Sequence, residues 1–164
     1  MDRHQEAYVV LSVYATHRGF GFILFRNAAW PLDWGTTDAK GKHPAESLKR
    51  IQELITQYEP DVLIVEDVTH SRRGIRATQF ISKVAQLGAR ANISISRYSR
   101  SQIQQVFSLF SAKTKLEIAI KIASWLPQLA ARMPPNRKPW MSEDSRMAIF
   151  DAAALALTHF YLKD

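Results

Sequence analysis

Cysteine is absent from this chain. Its absence excludes a disulfide framework, a thiolate metal site and a cysteine nucleophile. Long apolar runs are missing too. None approaches the roughly 18 residues that a membrane helix requires, and the opening MDRHQEAY has no apolar leader stretch. Glycine is scarce, six in 164 residues, and no phosphate-cradling glycine loop or dinucleotide fingerprint is found. A Ser-His-Asp arrangement is not evident either. Among the histidines, His17 and His70 fall in turns, while His4, His43 and His159 have no partner at metal-ligand spacing. These absences lead to the expectation of a soluble cytoplasmic protein.

What the chain does carry is positive charge and apolar bulk. The net charge is +7, the sequence pI is about 9.9, and 46% of residues are apolar. The apolar fraction suffices for one core, and without a repeat, low-complexity tract or linker, residues 1–164 are expected to form one domain. The charge favours a polyanionic partner, nucleic acid above all.

Hydrophobic periodicity orders the elements. Residues 8–16 (YVVLSVYAT) and 20–28 (FGFILFRNA) read as a strand hairpin around the HRG turn. A shorter third strand, weakened by Pro31, suits an edge. Residues 43–60 have helical spacing at Leu48, Ile51, Leu54, Ile55 and Tyr58, and DVLIVED follows as a strand. A second helix starts at Ile75 and ends at Gly88. ISISRYS then reads as the fifth strand. Residues 99–110 predict a short helix, 114–130 a longer one interrupted by Pro127, and 132–144 a proline-rich basic loop. A strongly apolar helix closes the chain. This order predicts an α/β fold, a five-stranded mixed sheet with helices on its faces.

Four carboxylates are conspicuous. Glu66 ends a buried strand, where ligands gather in such sheets. It either holds a hard cation or marks the wet end of that strand. Asp67, its neighbour, points away by strand alternation. Asp151 sits among Ala, Leu, Ile and Phe, where a carboxylate costs several kcal/mol unless paired with a cation or a metal. Asp144 lies seven residues earlier on nearly the same helix face. At about 10.5 Å along the axis, it either joins that site from afar or, with Ser142 and Glu143, supplies negative charge to the helix start.

Taken together, the hairpin VLSVYATHRGFGFILF, the strand PDVLIVED, the passage YSRSQIQQVFSLFSAKTKLEIA and the segment DAAALALTH resemble the RuvC-type Holliday-junction resolvases of the RNase H-like superfamily. The resemblance implies a five-stranded mixed sheet with helices on both faces. It also implies a homodimer that cuts branched DNA with two Mg²⁺ or Mn²⁺ ions held by four carboxylates. On this resemblance Glu66 and Asp151 are the metal ligands and Lys115 the basic residue near the scissile phosphate, with Asp144 a distant stand-in acid. Two family positions are substituted, an aspartate by Tyr14 and a second helix acid by Ala148. The expected outcome is one weakly held metal or none. A catalytically inactive binding or assembly subunit is then the alternative, and cleavage of RNA or RNA–DNA hybrid a further one.

Basic residues cluster along the same rim. Arg72, Arg73 and Arg76 follow Glu66, Arg97 and Arg100 flank the fifth strand, and Arg132, Arg137 and Lys138 lead to Trp140. Arginine and lysine beside an aromatic suit phosphate contact and base stacking. Thr69 and His70 stand where the resolvases use an aromatic to open the junction. The helix from Ile75 to Gly88 has a broad apolar face that fits either a dimer contact or the core.

Overall fold

Strands β1 (Val10–Ala15) and β2 (Gly19–Asn27) pair antiparallel, with Val10 opposite Phe25 and Ala15 opposite Phe20. Alternation sends Val10, Ser12 and Tyr14 to one face of the sheet and Leu11, Val13 and Ala15 to the other. The structure, a computed structural model, describes residues 8–39, 41–135 and 144–163. The third strand, β3 (Trp30–Asp38), is as long as β2, not shorter as its proline suggested. Pro31 is tolerated because β3 is an edge strand and the β2–β3 register shifts beside Phe25, its partner.

Helix α1 (Ala45–Tyr58) leads to β4 (Val62–Glu66), every residue of which is buried beside β1 in parallel pairing. Helix α2 (Ile75–Arg90) returns the chain to β5 (Ser94–Tyr98), parallel to β4. The sheet order is β3-β2-β1-β4-β5. Gly88 does not end α2. A Cβ there would lie 2.7 Å from Leu63 and Ile95 side-chain atoms, so this glycine lets the helix sit close on the sheet. The apolar face of α2, with Phe80, Ile81, Val84 and Ala85, is spent on the core, and Gln79, Lys83, Gln86 and Arg90 face outward.

Helix α3 (Arg100–Ser108) starts with a capping box, in which Ser99 and Gln102 satisfy each other's backbone N–H groups. Thr114 caps α4 (Lys115–Trp125) by accepting from Glu117 N. Pro127 begins a separate 3-10 turn (Pro127–Arg132), as the interruption in the sequence foretold. Helix α5 (Met147–Lys163) closes the fold, with every residue from Met147 to Ala156 buried. Two apolar cores flank the sheet. One lies under α3, α4 and α5, the other under α1 and α2. The described helices include none long and apolar enough to cross a membrane.

Helix α5 approaches the sheet more closely than most side chains permit. A Cβ on Gly21 would fall 2.5 Å from the backbone and Cβ of Ala148. One turn on, the Ser12 hydroxyl donates to the Ala152 carbonyl at 2.7 Å in full burial. These contacts fix the height and rotation of α5, and with them the position of Asp151. Gly21→Ala is expected to destabilise the fold by about 3 kcal/mol, since overpacking forces backbone to move. Gly74→Ala, in open space at φ −68°, is expected to stay within about 0.5 kcal/mol. Urea midpoints of the two variants check both values.

Candidate functional site

Glu66 and Tyr14 sit at the carboxyl ends of the adjacent strands β4 and β1, on the sheet face that α5 covers. Glu66 and Asp151 are each only 6% exposed. Burial of a carboxylate is expensive without an opposite charge. Both have one, and both cations come from the chain itself.

Arg73, in the loop before α2, brings its Nε within 3.5 Å of Glu66 Oε1. The same guanidinium donates to the Ala15 carbonyl at the end of β1 and lies 5.0 Å from the centre of the Tyr14 ring. Lys115, set by the Thr114 cap at the start of α4, meets Asp151 Oδ2 at 3.1 Å. Its ammonium is 5.3 Å from the same Tyr14 ring. A continuous bridge results, running Glu66, Arg73, Tyr14, Lys115, Asp151. The phenol stands where the resemblance implies an aspartate, and it lines up two cations instead of adding a carboxylate.

The electrostatics follow from burial. The Glu66 carboxyl is pushed above its ordinary range by desolvation, against which Arg73, Lys115 and Arg100 pull it down. The Tyr14 hydroxyl is raised by burial and by Asp151. Asp67 differs. Its carboxylate accepts from the Thr69 amide and hydroxyl at 3.0 and 2.6 Å, which lowers its pKa and makes it the cap of a turn.

Asp144 is not a member of the cluster. Helix α5 starts three residues after it, so the proposed shared helix face does not exist. Its carboxylate accepts from the backbone amide, Nε and Nη2 of Arg146 at 2.9, 3.0 and 2.8 Å, which pulls its pKa down to about 2. It also sits at the N-terminal end of α5, the second role open to it. Ser142, Glu143, Arg137, Lys138 and Trp140 lie outside the described residues. Ala148, the other position where the resemblance implies an acid, is 2% exposed and packed on Gly21, leaving no room for one.

The remaining basic residues gather nearby. Arg100 acts on Glu66, and Arg97 and His70 act on Asp67. Arg72, Arg76 and Arg97 are exposed, whereas Arg73 is turned inward and half-buried. This internal role of Arg73 was not legible in the sequence, where it is one of a run of arginines. His43 and His159 have partners, Ser47 Oγ at 2.8 Å and the Tyr98 hydroxyl at 2.7 Å, and both belong to the packing.

The residues present do not fit a two-metal centre. Two divalent ions carry +4 against −2 from Glu66 and Asp151, and Arg73 and Lys115 already supply +2 at those carboxylates. The described residues contain no group of three or more His, Asp or Glu side chains able to hold a metal ion.

No protein-family model matches the sequence, and no curated protein matches it. Solved structures do. Thermus thermophilus RuvC in complex with a Holliday junction substrate superposes with a TM-score of 0.67 at 18% identity, over 94% of this chain and 95% of that one. A second T. thermophilus RuvC structure gives 0.64 at 20% identity, with the same coverage. The fold is that of RuvC. At these identities the likeness is one of architecture, a five-stranded mixed α/β sheet, and the chemistry must be argued from the side chains.

Two outcomes are expected. Arg73→Ala strips the guanidinium from buried Glu66 and from the Tyr14 face and should cost about 2 kcal/mol, read from urea unfolding at neutral pH. The Asp144 pKa is depressed in the folded state, so its contribution is present above the ordinary 3.8 and is lost as pH falls towards 2. The stability difference between the protein and Asp144→Asn should therefore vanish across that window, as acid-unfolding curves will register.

Proposed function

We propose that this chain binds branched DNA, a four-way junction in the first instance, without cutting it. The observation that carries the reading is the closed bridge from Glu66 to Asp151. Both buried carboxylates at the strand ends are neutralised by Arg73 and Lys115, and the ring between them is held by both cations. A cleft built in this way has no net negative charge with which to draw in Mg²⁺ or Mn²⁺. The nucleic-acid part of the reading is supported by the net charge of +7 and by Arg72, Arg76, Arg97 and Arg100 at the rim. Junction DNA as the target is supported by the architecture shared with a RuvC whose structure holds a Holliday junction.

In this reading the chain's own residues do two things. The exposed arginines contact phosphates and set the orientation of the arms. The bridge offsets the charge of both buried carboxylates, so that phosphate is held at the rim and no water is activated beneath it.

One observation favours a second reading, metal-dependent cleavage. Glu66 Oε1 and Arg73 Nε are buried and neither makes a hydrogen bond, so the Glu66–Arg73 contact is loose. A metal ion that displaced Arg73 would gain that oxygen.

A gel assay separates the two. The protein is titrated onto labelled four-way junction, linear duplex, single strand and RNA–DNA hybrid, with Mg²⁺, Mn²⁺ or chelator. The expected result is junction binding unaffected by chelator, no cleavage, and log affinity falling linearly with log salt. Arg97→Ala with Arg100→Ala should weaken binding by roughly tenfold. Paired metal-dependent nicks that disappear in Glu66→Ala would overturn the non-cleaving reading. A flat salt response would remove nucleic acid altogether.

A further inference from the structure

At the pole opposite the bridge the surface changes character. Strand β2 runs antiparallel to β1, so the turn at Ala28 and Ala29 lies beyond Val10, away from Tyr14. Along α5, Tyr161 is ten residues past Asp151, about 15 Å along the axis. Between that turn, α3, α4 and the end of α5 lies a groove of about 320 Å³. Phe107, Phe110, Trp125, Leu157, Phe160 and Tyr161 line it, and no charged residue does.

The rings form one packed cluster. Phe110 meets Trp125 edge-on at 5.0 Å and Tyr161 at 6.1 Å, while Trp125 stacks on Phe107 at 5.9 Å. Yet Trp125 is 42% exposed, Tyr161 46% and Trp30, beside the turn, 58%. A preformed aromatic groove left open to water is the kind of apolar patch that marks a binding surface.

Charge selects the occupant. Arg26 lies over the Trp30 ring at 5.8 Å, Lys121 is one turn before Trp125 on α4, and Lys163 is three residues past Phe160 on α5. A second copy of the chain would bring its own +7 to this basic border, and the two would repel. Nucleic acid needs cations along the floor, and here no charged residue lines it. We infer that the groove docks an amphipathic helix of another protein, one that inserts large apolar side chains between Phe110, Trp125 and Tyr161 and carries acidic residues on its flanks. With DNA at the strand ends and this helix at the far pole, both can be engaged together. The inference stands on the groove alone and survives failure of the DNA reading.

The test is a displayed library of helical peptides. Apolar residues occupy i, i+3 or i+4, and i+7, and the remaining positions are randomised equally among Glu, Lys and Ser. The library is selected on the immobilised full chain. Enrichment of Glu flanks is expected. The best peptide should bind Trp125→Arg and Tyr161→Arg at least about tenfold more weakly, although both variants add positive charge, and circular dichroism should report both folded. Four-way junction binding should be unchanged in Tyr161→Arg. Recovery of Lys or Ser flanks as often as Glu, or equal binding to the variants, would overturn the inference. So would a concentration-dependent dimer that Tyr161→Arg abolishes, which would make the occupant a second copy.

Discussion

A carboxylate on a helix buried on nearly every side must meet a positive charge, and the organisation of the cleft follows from that demand. Helix α5 is apolar from Met147 to Ala156 apart from Asp151. It is drawn onto the sheet by that apolar surface, and Gly21 and Ser12 fix how closely and at what rotation. Asp151 has no freedom to swing out to water. Lys115 therefore comes to it, from a helix whose start is pinned by Thr114. The cap, the ion pair and the close packing are parts of one constraint.

Glu66 poses the same demand on the other side of the cleft. It ends a fully buried strand, and Arg73 reaches it from the following loop. Tyr14 joins the halves, because an aromatic face attracts both cations without adding charge. Both carboxylates are met by the chain's own side chains. Arg72, Arg76 and Arg97 are exposed, whereas Arg100 is partly buried and acts on Glu66.

Much of the fold could be read along the chain. The helical spacing of α1 and α2 reflects local periodicity, which burial on one face imposes directly, while the run VLIVE and α5 are legible as apolar segments buried all round. Pro127 marks the end of α4 for an equally local reason, the missing N–H. The errors have a common origin. Gly88 read as a helix end but is a point of close packing against Leu63 and Ile95, neighbours that are remote in sequence. Pro31 read as shortening an edge strand; the strand is at the edge, but a register shift lets it run as long as β2. Asp144 read as sharing a face with Asp151, but the helix starts too late, and Arg146 holds it.

By itself, the sequence determined the mixed sheet, the basic balance and the presence of acids at Glu66 and Asp151, where charge is costly. Composition and period carry that information, and neither needs a partner to be named. Only the tertiary structure decided what satisfies those acids. Arg73 lies seven residues from Glu66 and Lys115 thirty-six from Asp151, and neither separation has a period that marks a pair. The pairing arises because β1 and β4 lie side by side while α4 and α5 pack over them, and Coulomb attraction acts on distance in space. The same holds for the aromatic groove, whose rings come from α3, α4 and α5 and become a surface only when those helices meet.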